Sequence, residues 1–559
     1  MAETLHRASG VDEVRTRTAV PIRRTHQRFL IRKCEVFHQY SAMYCARLKA
    51  LKRSAMDALL KKIVASASAS TDCIPPTCRL LDLTHGQRAL CVGVVYKQMR
   101  LMTRFLDEYQ RELVRIDAGG DAEDGTDMCE AIPPPVNNEE ESAVRNQNDE
   151  NDNCQPDGNL CRAGDELFME DGSGRLLLEG VAAELFCTGL VVAVDGTLRD
   201  NGRLAVHSYS MIDLRELYVP RALAGVQCSE PLYVAVVCGF ELGNPDVPNV
   251  EAAARGRTMV ELLVDYLSGC VGSEAMKTHA SRISRLIIGG NNIAITDELR
   301  LKRKVKLDPS DHVKLNDDKP ANGTVTSAAL MRQFDVVLER IAECIEVDLM
   351  PGENDMTTAF HPQQPIHPLL LPAASRCSTV RLVTNPYEFS LFPGDDMETP
   401  VGKSLDDDTK GETTFFVSSG SALNSLCRET SFSSRLDAMS MILRSGCACP
   451  TAPNTLFCYP FVDSDPFVFQ RAPHCFVCCD QPRWETRWEP LDAFAPVDDS
   501  NRTTLDEECS AAASGVGSDG IRLVCVPPFS QTGILALIDI NSPKLHTTYV
   551  NFKNASMDL

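Results

Sequence analysis

Between residues 36 and 64, VFHQYSAMYCARLKALKRSAMDALLKKIV, apolar side chains at Phe37, Tyr40, Tyr44, Leu48, Leu51, Leu59 and Ile63 recur near helical spacing. The stretch predicts an amphipathic helix, interrupted near Ser54, whose apolar stripe is a core face. ALCVGVVYKQM at 89–99 reads as a strand, and MTRFLDEYQRELV as a short helix with Met102, Phe105, Tyr109 and Leu113 on one side. Residues 117–163 then lose almost all large apolar positions and are rich in Asn, Asp, Glu, Gly and Pro; this composition predicts a disordered insertion. Strands return over 174–214 as RLLLEG, FCTGLVVAVDGTL and RLAVHSYSMIDL. Asn201-Gly202 between the last two predicts a hairpin turn with both residues at positive φ. Several short strands closing on themselves suggest a small barrel, for which the oligonucleotide-binding (OB) type is one candidate.

After residue 226 the pattern changes. LYVAVVCGF is continuously apolar, as in a strand buried on both faces. It is followed by a helix at 258–269, a strand at 284–290, a long helix over 326–346 and the strand VDLMPG. Later strands are STVRLVTN, TTFFVSSG, HCFVCC, IRLVCVPP and GILALIDI, with a helix near 434–444. Alternating strands and helices that end in many strands predict a layered α/β sandwich over 226–559. Three stretches, 299–323, 394–412 and 485–520, read as surface insertions, and the basic run Arg300 to Lys306 in the first suits a solvated loop or a nuclear signal. The predicted plan is a basic disordered tail at 1–27, a helix plus barrel at 28–225 containing the acidic insertion, and the sandwich.

A chain of 559 residues has length for two or three cores, and its longest apolar run is strand-sized rather than membrane-sized. The basic stretch RTRTAVPIRRTHQR at 15–28 fits a tail with a nuclear signal better than a transit peptide, because Glu3, Asp12 and Glu13 lie beside it. Most of the 23 cysteines are scattered singly inside apolar stretches, which suits buried thiols in a reducing compartment. The cluster HCFVCCD (Cys475, Cys478, Cys479) and the pair in CAC at 447–449 lack the spacing of a zinc ribbon or finger.

The net charge of −21 is unevenly placed. Residues 117–157 hold thirteen acidic residues and one Arg, and the first 53 hold twelve Lys/Arg against four Asp/Glu. The remainder is therefore acidic, at −17. A protein that grips duplex DNA unaided needs a basic surface to neutralise phosphates. This composition points instead to contact with nucleic acid through a partner.

Candidate chemistry begins at LMPGENDM, residues 349–356, which has the outline of a metallophosphoesterase turn. The longer phrases LMPGENDMTTAFHPQQPIHP (349–368), LVTNPY (382–387) and CPTAPNTLFCYPFVDSDPFVF (449–469), with weaker matches such as GLVVAVDGTLRDNGRL, carry a family resemblance. In these phrases and in the order of its segments, the chain resembles the accessory B subunits of replicative DNA polymerases, and most closely their delta branch. The resemblance implies an OB-type barrel joined to a calcineurin-like phosphoesterase domain.

It also allows the former metal positions to be read one at a time. Where active relatives have Asp-x-His, CGFELG places Gly239 and Glu241; where they have Gly-Asp, the chain has Gly290-Asn291. Glu353 stands for the metal-binding Asn and Asn354 for the assisting His, while Asp480 and Pro482 stand for two imidazoles. Glycine and proline offer no side-chain ligand, a neutral amide is a poor bridge between two divalent cations, and Asn is no general acid near neutral pH. Asp355 remains, and a lone Asp there can cap the following segment. His361, His367 and His474 fall outside the motif. Glu241, Glu353 and Asp480 could at most hold a divalent cation weakly.

The resemblance implies a non-catalytic scaffold without cofactors in nuclear DNA replication and repair synthesis. It would bind the cysteine-rich C-terminal domain of the delta polymerase's catalytic subunit and the N-terminal domain of a third, clamp-binding subunit, with the sliding clamp and DNA reached indirectly. Two rivals are a divalent-metal phosphodiesterase or nuclease, and a single-strand-binding barrel. The second would need stacked aromatics in a basic groove, and 89–99 and 174–214 offer only Tyr96, Phe186 and Tyr209.

Overall fold

The structure is a computed structural model that describes residues 16–32, 39–66, 74–101, 159–221, 230–243, 250–294, 327–392, 412–495 and 519–553. Near the N-terminus come strand β1 (Ile22–Arg24) and helix α1 (Ser41–Ser66). Strands β2 (Arg88–Gln98), β3 (Glu166–Glu170), β4 (Arg175–Glu179), β5 (Val191–Leu198) and β6 (Leu204–Ser210) close a barrel in the order β2-β3-β4-β6-β5. Strands β2 and β5 are buried on both faces, and Leu90, Cys91, Val92, Val191, Val192 and Val194 share one buried cluster with Met43, Leu51, Ala55 and Leu59 of α1. The helix thus packs through Leu51 and Leu59 of the predicted stripe, with Tyr40, Leu48 and Ile63 partly buried beside them, while Met43 and Ala55 join the face unpredicted and Phe37 lies outside the described residues.

The sandwich contains two six-stranded sheets. The first runs β10 (Val380–Leu382), β9 (Glu346–Leu349), β8 (Ile283–Ile288), β7 (Tyr233–Val237), β16 (Ile534–Asp539), β17 (Thr547–Asn551). The second runs β1, β11 (Tyr387–Leu391), β12 (Thr413–Ser418), β13 (Cys475–Cys478), β15 (Gly520–Cys525), β14 (Glu485–Pro490). Strands β7 to β10 are parallel, as are β12, β13 and β15.

Period-two alternation assigns each strand's residues to two cores. Val234 and Val236 of β7 meet Phe415 and Val417 of β12 and Val477 of β13 between the sheets. Ala235, Leu286, Ile288 and Leu537 face the helices α2 (Val250–Leu267), α3 (Glu274–Ser281) and α4 (Ser327–Ala342). On the opposite side Phe416, Phe476, Leu523 and Cys525 face α5 (Ser421–Glu429) and α6 (Arg435–Ser445), in a core continuous with that of the barrel.

One side chain closes the junction of helix, barrel and sandwich. Arg47 of α1 is fully buried. Its Nε donates to Asp465 Oδ2 at 2.6 Å, and its other nitrogens donate to the carbonyls of Gly189, Pro450, Cys449 and Ala452. Gly189 is required there: its φ is +99°, and a Cβ would lie 2.3 Å from Pro450 O and 2.7 Å from Arg47 Nη1.

Several expectations are corrected. Residues 16–27 are part of the fold rather than a disordered tail. Strand β1 pairs antiparallel with β11, Arg24 pairs with Asp348 at 3.0 Å, and Arg23 pairs with Glu412. Arg17 donates to the carbonyls of Leu267, Ala280, Ile283 and Cys344, around the C-terminal ends of α2, α3 and α4. A helix end leaves carbonyls without intrahelical donors, and a guanidinium satisfies several at once. The basic stretch reads as a tail because the partners of Arg17, Arg23, Arg24 and Arg28 lie hundreds of residues away.

Helix α1 runs through Ser54 without a break, held by Leu51, Ala55, Ala58 and Leu59 on its buried face. In the β5–β6 turn Gly202 takes positive φ (+76°) and Asn201 does not; Gly202 N donates to Arg199 O at 3.0 Å, a tight turn followed by a left-handed glycine. Residues 485–490, assigned to an insertion, are the edge strand β14, whose half-exposed, charged sequence masks its pairing with β15. The stretch 159–163 at the end of the acidic insertion is docked, with Leu160 N donating to Arg428 O at 2.7 Å and Cys161 buried. The predicted helix with Met102, Phe105, Tyr109 and Leu113, the acidic stretch up to 158 and the 299–323 insertion lie outside the described residues, as does 394–412 except for the buried Glu412.

Candidate site at the carboxyl ends of the sandwich strands

Strands β7, β8 and β9 all end on one rim, where their following turns are zipped by backbone hydrogen bonds. Gly239 N donates to Gly290 O at 2.8 Å, Glu241 N to Asn291 O at 3.1 Å and Leu242 N to Asn292 O at 3.1 Å. The turn after β13 joins them through Asp480 N, which donates to Cys238 Sγ at 3.2 Å.

The backbone here is unusual. Gly239 (+65°), Glu241 (46°), Gly290 (+93°), Asn291 (56°) and Asp480 (54°) all have positive φ. Four non-glycine residues among those described do so, and three of them, Glu241, Asn291 and Asp480, are positions the sequence singles out. Each left-handed non-glycine residue costs of order 1 kcal/mol, and such strain concentrates at functional sites.

The turns also approach too closely for side chains. A Cβ on Gly290 would lie 2.6 Å from Gly352 Cα, and one on Gly352 would lie 2.3 Å from Asn291 N. A Cβ on Gly239 would lie 2.8 Å from that of Pro528. Asp355 holds the contact from below. It is buried and accepts from Gly352 N at 2.8 Å, Asn292 N at 2.9 Å, Asn292 Nδ2 at 3.0 Å and Ile293 N at 3.4 Å. Rather than capping the segment that follows, it clasps two turns together. Burial pushes its carboxyl up to about 6, against the pull of those hydrogen bonds. Asn354 N donates to Asn291 Oδ1 at 3.1 Å, so the Asn291 side chain serves as an acceptor for backbone.

Three carboxylates meet at this rim. Burial, and then the charges of Glu241 and Glu353, raise Asp480 to about 6, while Asn291 donates to it. Glu241 accepts from Ser530 Oγ at 2.6 Å. Glu353 and Pro482 are exposed. Among the described residues no group of three or more His, Cys, Asp or Glu side chains is arranged to hold a metal ion. The structure thus brings Gly239, Glu241, Asn291, Glu353, Asn354 and Asp480 together, with Pro482 just beyond.

The crowded carboxylates give a prediction with a definite sign. Asp480 titrates higher in the folded chain than the ordinary 3.8, so it favours folding below that value, and this contribution is lost as pH rises through about 6. Asp480→Asn removes the buried charge, keeps an acceptor for Asn291 and places at positive φ a residue that tolerates it. Thermal melts at pH 8 should show the variant more stable by about 1–2 kcal/mol. The advantage should shrink as pH falls through about 6 and vanish below about 3.8.

The remaining singled-out residues have structural partners. His474 is buried, accepts from Thr414 N at 2.9 Å and donates to Val219 O at 2.8 Å; burial lowers it to about 4. His361 is buried and lowered to about 4 for the same reason, and His367 accepts from Leu369 N at 3.2 Å. Cys475, Cys478 and Cys479 are buried in and after β13, and burial pushes Cys475 up to about 12, far from a thiolate ligand at neutral pH. In the barrel, Phe186 is buried against Tyr209, leaving Tyr96, 36% exposed, on the outer face. Arg175 covers the rings of Tyr96 and Phe168 at 4.0 and 4.7 Å and pairs with Glu170 at 2.9 Å, so this face is already occupied.

Residues 39–209 match the family described as the DNA polymerase delta subunit OB-fold domain; residues 234–397 and 409–486 match the family of DNA polymerase alpha/epsilon B subunits. The chain is 26% identical over 529 residues to the DNA polymerase delta small subunit of Arabidopsis thaliana, covering 93% of each chain. It is 26% identical over 531 residues to that of Saccharomyces cerevisiae, covering 92% of this chain and 89% of the relative. It is 29% identical over 391 residues to DNA polymerase delta subunit 2 of Drosophila melanogaster, covering 69% and 74%.

The chain belongs to the B-subunit family of replicative DNA polymerases. The first match takes in α1 and most of the barrel, including OB strands β2 to β5; the second includes the strand-end turns up to Pro482. Within this family member, sequence reasoning missed Arg47, Asp348 and Arg17, whose partners are all remote. It also missed a surface row of aromatics, Phe360, Phe457, Tyr459 and Phe461, although they lie inside the two long phrases that carry the resemblance.

Proposed function

We propose that this chain is the non-catalytic small subunit of a DNA polymerase delta holoenzyme and works by assembly rather than by chemistry. The single observation that carries this is the strand-end rim: its turns keep strained, left-handed backbone at Glu241, Asn291 and Asp480 while the donor set there is wrong for a two-metal centre. Gly239 and Pro482 supply no ligand, and Asn291 and Asp355 commit their oxygens to backbone N–H groups. This fits a calcineurin-like phosphoesterase domain at 226–559 that has kept its turns as a clasp, beside an OB domain at 28–225. Gly239, Glu241, Asn291, Glu353, Asn354, Asp480 and Pro482 would then be its former ligand and catalytic positions.

In this reading the chain binds the cysteine-rich C-terminal domain of the catalytic subunit and the N-terminal domain of a third subunit, which links to the sliding clamp, and it works in the nucleus. The fused core of barrel, helix and sandwich supports a bridging role, because a rigid body presents broad composite surfaces with little ordering cost on binding. The acidic balance of −21 favours reaching DNA through the complex.

Gentle affinity purification of the tagged chain, with quantitative mass spectrometry, tests it. Near-equimolar recovery of a large polymerase and a smaller clamp-binding subunit is expected. Recovery of the chain alone, or with a different polymerase, would remove the delta assignment.

A further inference from the structure

Two long sequence phrases, 349–368 and 449–469, meet at one surface. Ring centroids of Phe360 and Phe457 lie 6.4 Å apart, Phe360 and Tyr459 6.1 Å, and Tyr459 and Phe461 5.0 Å. The row is rooted in the core through Phe461 and the fully buried Phe467, 6.4 Å apart and perpendicular. Its backbone is fixed: His361 N donates to Phe457 O at 2.9 Å, Tyr459 N to His361 O at 2.8 Å, and the OH of Tyr40, just before α1, to Cys458 O at 3.1 Å. The outer end is nevertheless in solvent, with Phe457 56% and the neighbouring Val462 44% exposed.

Phe360, Tyr459 and Phe461 are half-buried and Phe457 is mostly in solvent, so the row presents a rigid aromatic edge to water. Rigid, clustered aromatics of this kind are the anchors from which protein interfaces draw most of their energy. The surrounding charge narrows the occupant. Asp463 follows Val462 and is exposed, as is Glu353. The Gln363 amide ties the row to the carboxylate rim, donating to Gly352 O at 3.1 Å and Thr358 O at 3.4 Å. Glu353 in turn acts electrostatically on Asp480 together with Glu241. Aromatic faces beside carboxylates favour Arg or Lys, through cation–π contact and charge pairing together.

We propose that the row Phe360–Phe457–Tyr459–Phe461, with the acidic rim of Glu353 and Asp463, is a docking surface for a basic, Arg- or Lys-bearing segment of a protein partner in the polymerase assembly. This rests on the assembly reading above and assigns it a surface. The aromatics supply the desolvated centre and the carboxylates the orientation, so binding is salt-sensitive in rate and register.

The test co-expresses the full chain with the catalytic and third subunits. Phe457→Asp should lower partner recovery at least tenfold with its melting temperature unchanged. Glu353→Lys should lower recovery several-fold at low salt and little at high salt. A benzophenone side chain at position 457 should crosslink to a basic segment of one subunit, and the same probe at the exposed Val336 of α4 should not. The crosslink decides the matter should Phe457→Asp prove unstable. Wild-type recovery of partners by both variants, or crosslinking to nucleic acid alone, overturns the surface. Failure of the wild-type chain to recover any polymerase overturns the assembly reading instead, so the two failures are separable.

Discussion

Arg47→Ala should cost about 3–5 kcal/mol of stability, since it leaves the buried Asp465 carboxylate without its counter-charge. Four carbonyls, from Gly189, Pro450, Cys449 and Ala452, lose their donors in the same step. An orphaned buried polar group carries its full desolvation penalty, whereas removing both members of a pair can be nearly neutral. Set against a typical net stability of about 5–15 kcal/mol, the loss is large enough to separate helix, barrel and sandwich. Urea unfolding followed by fluorescence and by far-ultraviolet dichroism should show a lowered midpoint and, since the junction joins three parts, transitions that no longer coincide. Arg47→Met with Asp465→Leu should recover only part of the loss, because it deletes the charges together but leaves the four carbonyls without Arg47 and Phe467 N without Asp465. A single variant with an unchanged midpoint would mean the junction is held elsewhere.

The second large effect belongs to Asp348, in β9. It is fully buried and accepts from Arg24 at 3.0 Å, Arg285 at 3.1 Å and Tyr387 OH at 3.0 Å. Through it the N-terminal strap, the first sheet and the second sheet meet at one carboxylate. Asp348→Ala leaves the buried Arg285 with only Glu346 at 3.6 Å and the partly exposed Arg24 without its carboxylate, and should cost about 3 kcal/mol. A double-mutant cycle with Arg24→Ala measures the strap's share, and a coupling of about 1 kcal/mol or more is expected for groups in one buried network. Truncating residues 1–31 removes β1, uncovers the edge of β11 and should raise aggregation as well as lower stability. Additive losses in the cycle would show the Arg24–Asp348 contact to be incidental.

Much of the architecture is written in local pattern. Two-sided burial of β7 shows in its unbroken apolar run, and part of the buried face of α1 in its spacing. Sequence alone failed where partners are remote. Arg17, Arg23 and Arg24 look like a solvated basic tail until their acceptors appear some 250 to 390 residues away. Strand β14 was hidden for another reason: an edge strand needs no apolar alternation on its solvent side.

The rim shows the same division. The residue types at 239, 291, 353, 354, 480 and 482 can be read as chemistry lost. The structure adds what holds the turns together: Asp355 clasps them, and Gly290 and Gly352 touch where no side chain fits. The aromatic row needed two segments far apart in sequence to be brought together, which no local pattern conveys.

The most direct measurement of the central claim, that this rim is a clasp without metal chemistry, is a Mn²⁺ titration of the purified chain by calorimetry, with a phosphodiester hydrolysis assay on the same samples. No saturable site at micromolar Mn²⁺ and no turnover above the metal-only rate are expected for the isolated chain. A stoichiometric site whose hydrolysis is lost in Asp480→Asn would contradict the claim.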